Sequence, residues 1–351
     1  MAACFPAAAL AQTPEAELRE GIALTSRGRF ADAIPHFLTA RGRVSDSFAL
    51  DFNLALCYVG TRQFPAAIRV LSDIPAGPRT AEVKNLLAQA FVGDRQREAA
   101  WKAFQDAVAL APKDERLYLL VSQACLDEGF SDLARRVLDT GLRNLPDSAR
   151  LHFQMGVLYA HDDENTEASR EFEAAQRLGP GSEIAYIAAA EQALIAGHID
   201  DVIRTARAGI RAGFNHYLLL TMLGEGLLRS GATPDTPAEF SEAQAALEKA
   251  VAARPGYSSS HIALGRVYLA LGRAAEAVEQ LESARRLDPR NKAVYPPLAA
   301  AYQRSGQAAK AKEALAALAA LNREDAARIG SADGGRAGYV GKPKADKKPP
   351  Q

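Results

Sequence analysis

Residues 115–146 read ERLYLLVSQACLDEGFSDLARRVLDTGLRNLP, and residues 149–180 read ARLHFQMGVLYAHDDENTEASREFEAAQRLGP. Laid over one another, the two stretches agree in kind where they differ in letter. Each ends in proline, with alanine twelve residues earlier (Ala134, Ala168) and a large apolar residue eight earlier (Leu138, Phe172). Pro112, Pro146 and Pro180 stand 34 residues apart, as do Pro255 and Pro289, and the same offsets return Ala100 and Phe104, Ala243 and Leu247, Ala277 and Leu281. Three residue types sharing one period mark an internal repeat.

With the proline at the thirty-second position, nine units start near Pro14, Phe48, Ala81, Glu115, Ala149, Glu183, Tyr217, Ser258 and Lys292. The eighth position is small in all nine: Gly21, Ala55, Ala88, Ser122, Gly156, Ala190, Gly224, Gly265 and Ala299. The twentieth is Ala33, Ala67, Ala100, Ala134, Ala168, Val202, Ala243, Ala277 and Ala311. Small residues at two fixed places let two antiparallel helices approach closely. Tyr58, Phe91, Tyr159, Tyr268 and Tyr302 at the eleventh position supply the bulk that fills the remaining space. Leu117, Leu120, Val121 and Ala124 keep helical spacing, so each unit reads as helix A, a short turn often carrying glycine (Gly28, Gly129, Gly197, Gly272, Gly306), and helix B. Proline stops helix B, because it lacks an amide hydrogen and biases the residue before it away from helix. Asp114, Asp147 and Ser182 then stand ready to cap the next helix A.

This pattern resembles the tetratricopeptide repeat family over residues 14–325, and exported bacterial scaffold proteins built of several such repeats in particular. The resemblance implies an all-α chain, a right-handed superhelical α-solenoid of about nine hairpins. The units fall near 14–47, 48–80, 81–114, 115–148, 149–182, 183–216, 217–257, 258–291 and 292–325. Departures are informative. In the sixth unit Ala193 and Ala206 stand where bulk is usual, and Phe214 takes the proline position, so this unit is expected to be the softest. The seventh carries seven extra residues, and Ala232–Ala238, with two prolines, is expected to be a loop without helical pattern. Residues 326–351 are expected to form a disordered basic tail, since Gly, Lys and Pro in such a proportion bury too little surface to order themselves.

Composition narrows the partners. Lys+Arg 42 balances Asp+Glu 42, which argues against a nucleic-acid binder. No apolar run is long enough to cross a bilayer as a helix. Cys4, Cys57 and Cys125 form no CxxC pair, and the last two lie two units apart, beyond disulfide reach. Residues 1–13 resemble the end of an export signal, with Ala9-Leu10-Ala11 as a cleavage-like site, so a periplasmic or secreted location is expected. The location would be cytoplasmic if Met1 is the true start. Cys4 as a lipidation site is the rival reading.

The repeats use up the chain, so no enzyme and no cofactor are expected. Gly224-Glu-Gly226 lacks the third glycine of a dinucleotide fingerprint. His161-Asp162-Asp163-Glu164 is the one cluster with metal-ligand chemistry, and a run of acids in a turn is usually solvated. His152 and His261 fall at the fourth position of helix A and are expected to be packing groups.

In the family, helix A lines a concave groove that holds a protein or peptide. Carried over by position, the groove residues are Asn53, Asn85, Gln89, Arg116, Gln123, Arg150, Gln154, Glu191, Glu225 and Arg266, with Glu82, Arg229, Gln303 and Arg304 beside them and Phe52 and Phe153 as apolar contacts. The carboxylate clamp of one member class is not supported. Asn53 fits it, but Leu18, Ile22, Glu82 and Leu86 replace its remaining groups. The expected function is a protein-interaction scaffold. The alternative is a non-catalytic subunit that recognises glycan or envelope polymer, which the single tryptophan, Trp101 on helix B, does little to favour.

Overall fold

The structure, a computed structural model, describes residues 13–77 and 80–336. The export-signal-like stretch with Cys4, and the tail beyond Arg336, lie outside the described residues. Every regular element among those residues is helical, and the chain parts into two compact units after Ile195.

The first unit contains α1 (Pro14–Ser26), α2 (Phe30–Ala40), α3 (Ser47–Gly60), α4 (Phe64–Asp73), α5 (Thr80–Gly93) and α6 (Arg97–Leu110). It continues with α7 (Glu115–Asp127), α8 (Ser131–Asn144), α9 (Ala149–His161), α10 (Asn165–Leu178) and α11 (Glu183–Ile195). The second unit contains α12 (Ile199–Arg211), α13 (Tyr217–Arg229), α14 (Pro237–Ala253), α15 (Ser258–Ala270), α16 (Ala274–Leu287), α17 (Tyr295–Arg304) and α18 (Ala308–Arg336), with a single 3-10 turn at Lys292–Val294 leading into α17. Odd-numbered helices are A helices and even-numbered ones B helices. Within each unit consecutive helices pack together, and each A helix also touches the next A helix.

The eighth position explains the pairing. A Cβ added at Gly21 would stand 2.7 Å from the Phe37 ring, at Gly156 2.7 Å from Phe172, at Gly224 2.4 Å from Leu247 and at Gly265 2.5 Å from Leu281. Each partner is the large apolar residue at the twenty-fourth position of the same repeat, so a knob on helix B fills the gap on helix A. A second small position escapes the repeat pattern. Gly60 lies against Phe30 and Gly93 against Phe64, each a close approach between one B helix and the A helix after it.

The turn between A and B holds one residue in the left-handed region at the fifteenth position. Gly28, Gly129, Gly197, Gly272 and Gly306 serve there with φ between 71° and 75°, while Arg62, Arg95 and Asp163 do so at φ 59–61° without glycine's freedom. Helix A starts are capped by Asp46, Asp114, Ser148 and Ser182, whose side chains accept from backbone amides at 2.8, 3.1, 3.0 and 3.3 Å. At the fifth repeat the cap is therefore Ser148, one residue after the expected Asp147.

The fourth position of helix A closes the gap that proline opens. The carbonyls of Pro112 and Pro289 accept from the hydroxyls of Tyr118 and Tyr295 at 2.8 and 2.5 Å, and His152 and His261 place Nε2 3.0 and 2.9 Å from the carbonyls of Pro146 and Pro255. These histidines therefore do more than pack. They satisfy a carbonyl at the frayed end of helix B.

Two boundaries differ from expectation. Pro237 and Ala238, read as loop, are the first residues of α14, because proline suits the first helical turn. The rest of the insertion folds as a turn in which the Thr236 hydroxyl accepts from the Thr233 amide at 2.9 Å. Helix α18 runs on to Arg336, past residue 326 where a disordered tail was expected to begin. Its alanine-rich sequence favours helix, and Arg290 and Lys292 pair with Glu324 and Asp325 at 2.5–3.7 Å.

Candidate functional site on the A helices

The first unit gathers most of the expected residues along α3, α5, α7 and α9, but in different roles. Asn85 is buried, at 3% exposure, and its amide donates to the Leu117 carbonyl at 2.8 Å. It ties α5 to α7 and is not a groove surface. Gln89 donates to the Asn85 side-chain oxygen at 2.9 Å, so its own carbonyl oxygen stays available. Gln123 donates to Asp127 at 2.8 Å and accepts from Gln154 at 3.2 Å, which joins the amides of α7 and α9. Asn53 turns back onto the Ala49 carbonyl at 2.8 Å. Arg116 binds its own cap, Asp114, at 2.9 Å, and Arg150 lies 3.6 Å from Glu115. Both guanidiniums are thus occupied at helix starts. Phe52 stacks on Phe48 with centroids 5.8 Å apart, and Phe153 is buried against Phe172 at 5.7 Å.

Between α3, α5 and α7 lies a recess of about 360 Å³. Val59, Phe64, Gly93, Leu120 and Ala124 form its apolar part, and Gln89, Gln123, Asp127 and the Arg62–Glu128 pair (2.6 Å) its polar edge. Leu120 is 50% exposed. Helical spacing puts Leu120 on one stripe with Leu117, Val121 and Ala124, of which Leu117 and Val121 are buried and Ala124 packs on the core. The apolar stripe of α7 is wider than the face its neighbours cover, and the surplus opens into the recess.

In the second unit Glu225 on α13 is partly buried, while Arg229 on α13 and Arg266 on α15 are exposed. Burial pushes the Glu225 carboxyl up, and the two guanidiniums pull it partly back. Gln303 and Arg304 lie at the end of α17, where Arg304 donates to the Leu269 carbonyl at 2.6 Å. Glu191 lies on α11 in the first unit, partly exposed.

Other candidate chemistry resolves into packing. Asp162 and Glu164 hold Arg135 at 3.3 and 2.6 Å, over the Tyr159 ring, and among the described residues no three His, Cys, Asp or Glu stand together as metal ligands. Cys57 and Cys125 are fully buried. Burial raises both thiols, that of Cys125 to about 12. No helix among those residues is long and apolar enough to cross a membrane.

Antiparallel helix pairs stacked with a fixed internal pattern, offering amides and cations on exposed A helices, define a helical-repeat interaction scaffold. Two sequence models described as tetratricopeptide repeat match the chain, one over residues 24–90 and 238–295 and the other over 122–183, together more than half of it. The chain belongs to the tetratricopeptide repeat family. It is 33% identical over 63 residues to intraflagellar transport protein 70A of Xenopus laevis, a match spanning 18% of this chain and 10% of that protein. Among solved structures, a tetratricopeptide repeat protein from Parabacteroides merdae is 15% identical, with 72% of this chain and 97% of that one covered and a TM-score of 0.49. A thermophilic repeat protein of Thermus thermophilus is 19% identical, with 53% and 98% covered and a TM-score of 0.43.

Proposed function

We propose that the chain is a non-catalytic scaffold that receives an extended segment of a partner protein on the A helices of its first unit. The recess bounded by α3, α5 and α7 carries this reading. A half-exposed leucine beside amide groups offers a partner both a place to bury an apolar side chain, worth about 1.5–3 kcal/mol, and hydrogen bonds for its backbone. The glycan alternative finds less support. The Trp101 ring is covered by Arg136 at 4.1 Å and packs on Phe104 at 5.3 Å, so it presents no open stacking face.

The test uses peptides selected from a displayed random library on the wild-type chain. Leu120→Glu and Gln123→Ala should each weaken the selected peptides by about tenfold or more, which corresponds to about 1.4 kcal/mol. Circular dichroism should show both variants folded, because neither side chain is buried. Selected peptides that bind Leu120→Glu as tightly as wild type would place the contact elsewhere.

A further inference from the structure

We infer that a pocket between α4 and α5 takes up a small anionic amphiphile, a carboxylate on an aliphatic chain, with Lys84 at its charged end. The site lies apart from the recess between α3, α5 and α7 and is independent of the scaffold reading.

The pocket exists because one helix stops early. Helices α6, α8, α10 and α16 each run for 14 residues, whereas α4 has 10. Pro75 is the cause. Proline biases the residue before it away from helix, and Ile74 is extended at φ −71° and ψ 121°. The lost turn matters for packing. At the twenty-seventh position of the repeat Ala40, Ala107, Ala175, Ala250 and Ala284 are fully buried, but the second repeat has the partly exposed Ile74 there. A pocket of about 220 Å³ remains between the end of α4 and the start of α5.

Its walls set the chemistry of the ligand. Leu71 and Ile74 on one side and Val83 and Leu87 on α5 make the lining mainly apolar. A cavity of about 150 Å³ walled by such side chains holds benzene, so this one has room for roughly six to eight carbons. Lys84 is the one charged side chain among the described residues of the lining. It is partly buried and makes no hydrogen bond or ion pair among the described residues. The two hydroxyls at the pocket are already spent, because Ser72 donates to the Ile68 carbonyl at 2.7 Å and Thr80 to the Gly77 carbonyl at 2.6 Å. The lysine is therefore the donor left for a head group. An ammonium drawn partly out of water without a counter-charge is costly, and a carboxylate beside it offsets that cost.

Equilibrium dialysis of radiolabelled octanoate against the full chain tests the site. One molecule should bind per chain. Hexanoate should bind about tenfold more weakly, because each buried methylene is worth roughly fourfold in affinity. Octylamine, with the opposite charge, should also bind about tenfold more weakly. Lys84→Gln should weaken octanoate by about fivefold and leave octan-1-ol unchanged. Val83→Phe, which adds a ring to the pocket wall, should weaken octanoate and octan-1-ol alike, with circular dichroism as the folding control. Lys84 is not fully buried, so its variant carries the test should Val83→Phe fail to fold. No uptake of octanoate at about 10 mM would overturn the inference. So would octylamine matching octanoate, Lys84→Gln weakening octanoate and octan-1-ol equally, or a folded Val83→Phe variant that binds octanoate as wild type does.

Discussion

His152 shows how much one side chain can carry. Its Nδ1 lies 2.6 Å from Glu171 and its Nε2 3.0 Å from the Pro146 carbonyl, so both ring nitrogens face acceptors. A neutral imidazole can donate from only one of them, whereas the imidazolium satisfies both. The Glu171 bond accordingly raises the pKa, with help from Pro146 and against burial and Arg177. The folded chain then holds this proton more tightly than the unfolded one. The stabilisation is full below the unfolded value of about 6.5 and disappears as pH rises through the folded one. His152→Gln should therefore cost more at pH 5.5 than at pH 9, by up to about 1 kcal/mol. Urea unfolding at the two pH values measures the difference, and a pH-independent cost would refute the assignment. Asn85 makes the complementary point. Position within the repeat pointed it at a partner, but its bond runs to a backbone carbonyl 32 residues away, which no local pattern encodes.

At the scale of the helix and the turn, the small residues at positions eight and twenty, the proline stop and the turn glycine were legible, because each answers a constraint that recurs every 34 residues. The recess was not legible. It depends on Leu120 being left over when Leu117 and Val121 are buried and Ala124 packs on the core, and helical spacing alone puts all four on one stripe. The helical start of the Thr-Pro segment at Pro237 was likewise hidden behind proline's reputation as a breaker. Turns lacking glycine supply a direct check on the turn reading. Asp163 sits at φ 61°, is exposed, and makes no side-chain hydrogen bond among the described residues. Asp163→Gly should remove the left-handed strain, about 1–2 kcal/mol, less the roughly 0.5–1 kcal/mol entropic cost of glycine. The urea midpoint should rise slightly. A fall would show that the Asp163 side chain stabilises the turn by more than its strain costs.

For the whole molecule, stability in a repeat array is a sum of each repeat's own terms and those of its nearest neighbours. One weak repeat is then felt locally and not averaged over the chain. The chain parts into its two units after Ile195, inside the sixth repeat. That repeat has Ala206 at the twenty-fourth position, where Phe37, Phe104, Leu138, Phe172, Leu247 and Leu281 are buried elsewhere. It also has Ala193 where the second, third, fifth, eighth and ninth repeats carry an aromatic ring. Each truncated side chain withholds roughly 1.5–3 kcal/mol of burial, a large share of what one hairpin contributes. Native-state hydrogen exchange should therefore show the amides of residues 183–216 opening first among the interior repeats, by a sub-global route. Opening there should leave protection in α7–α10 and in α13–α16 intact, since each of those sets has its own stacked neighbours. Protection across 183–216 equal to that of the flanking helices would show that the missing bulk is made up by other contacts, and that the array unfolds as one cooperative body.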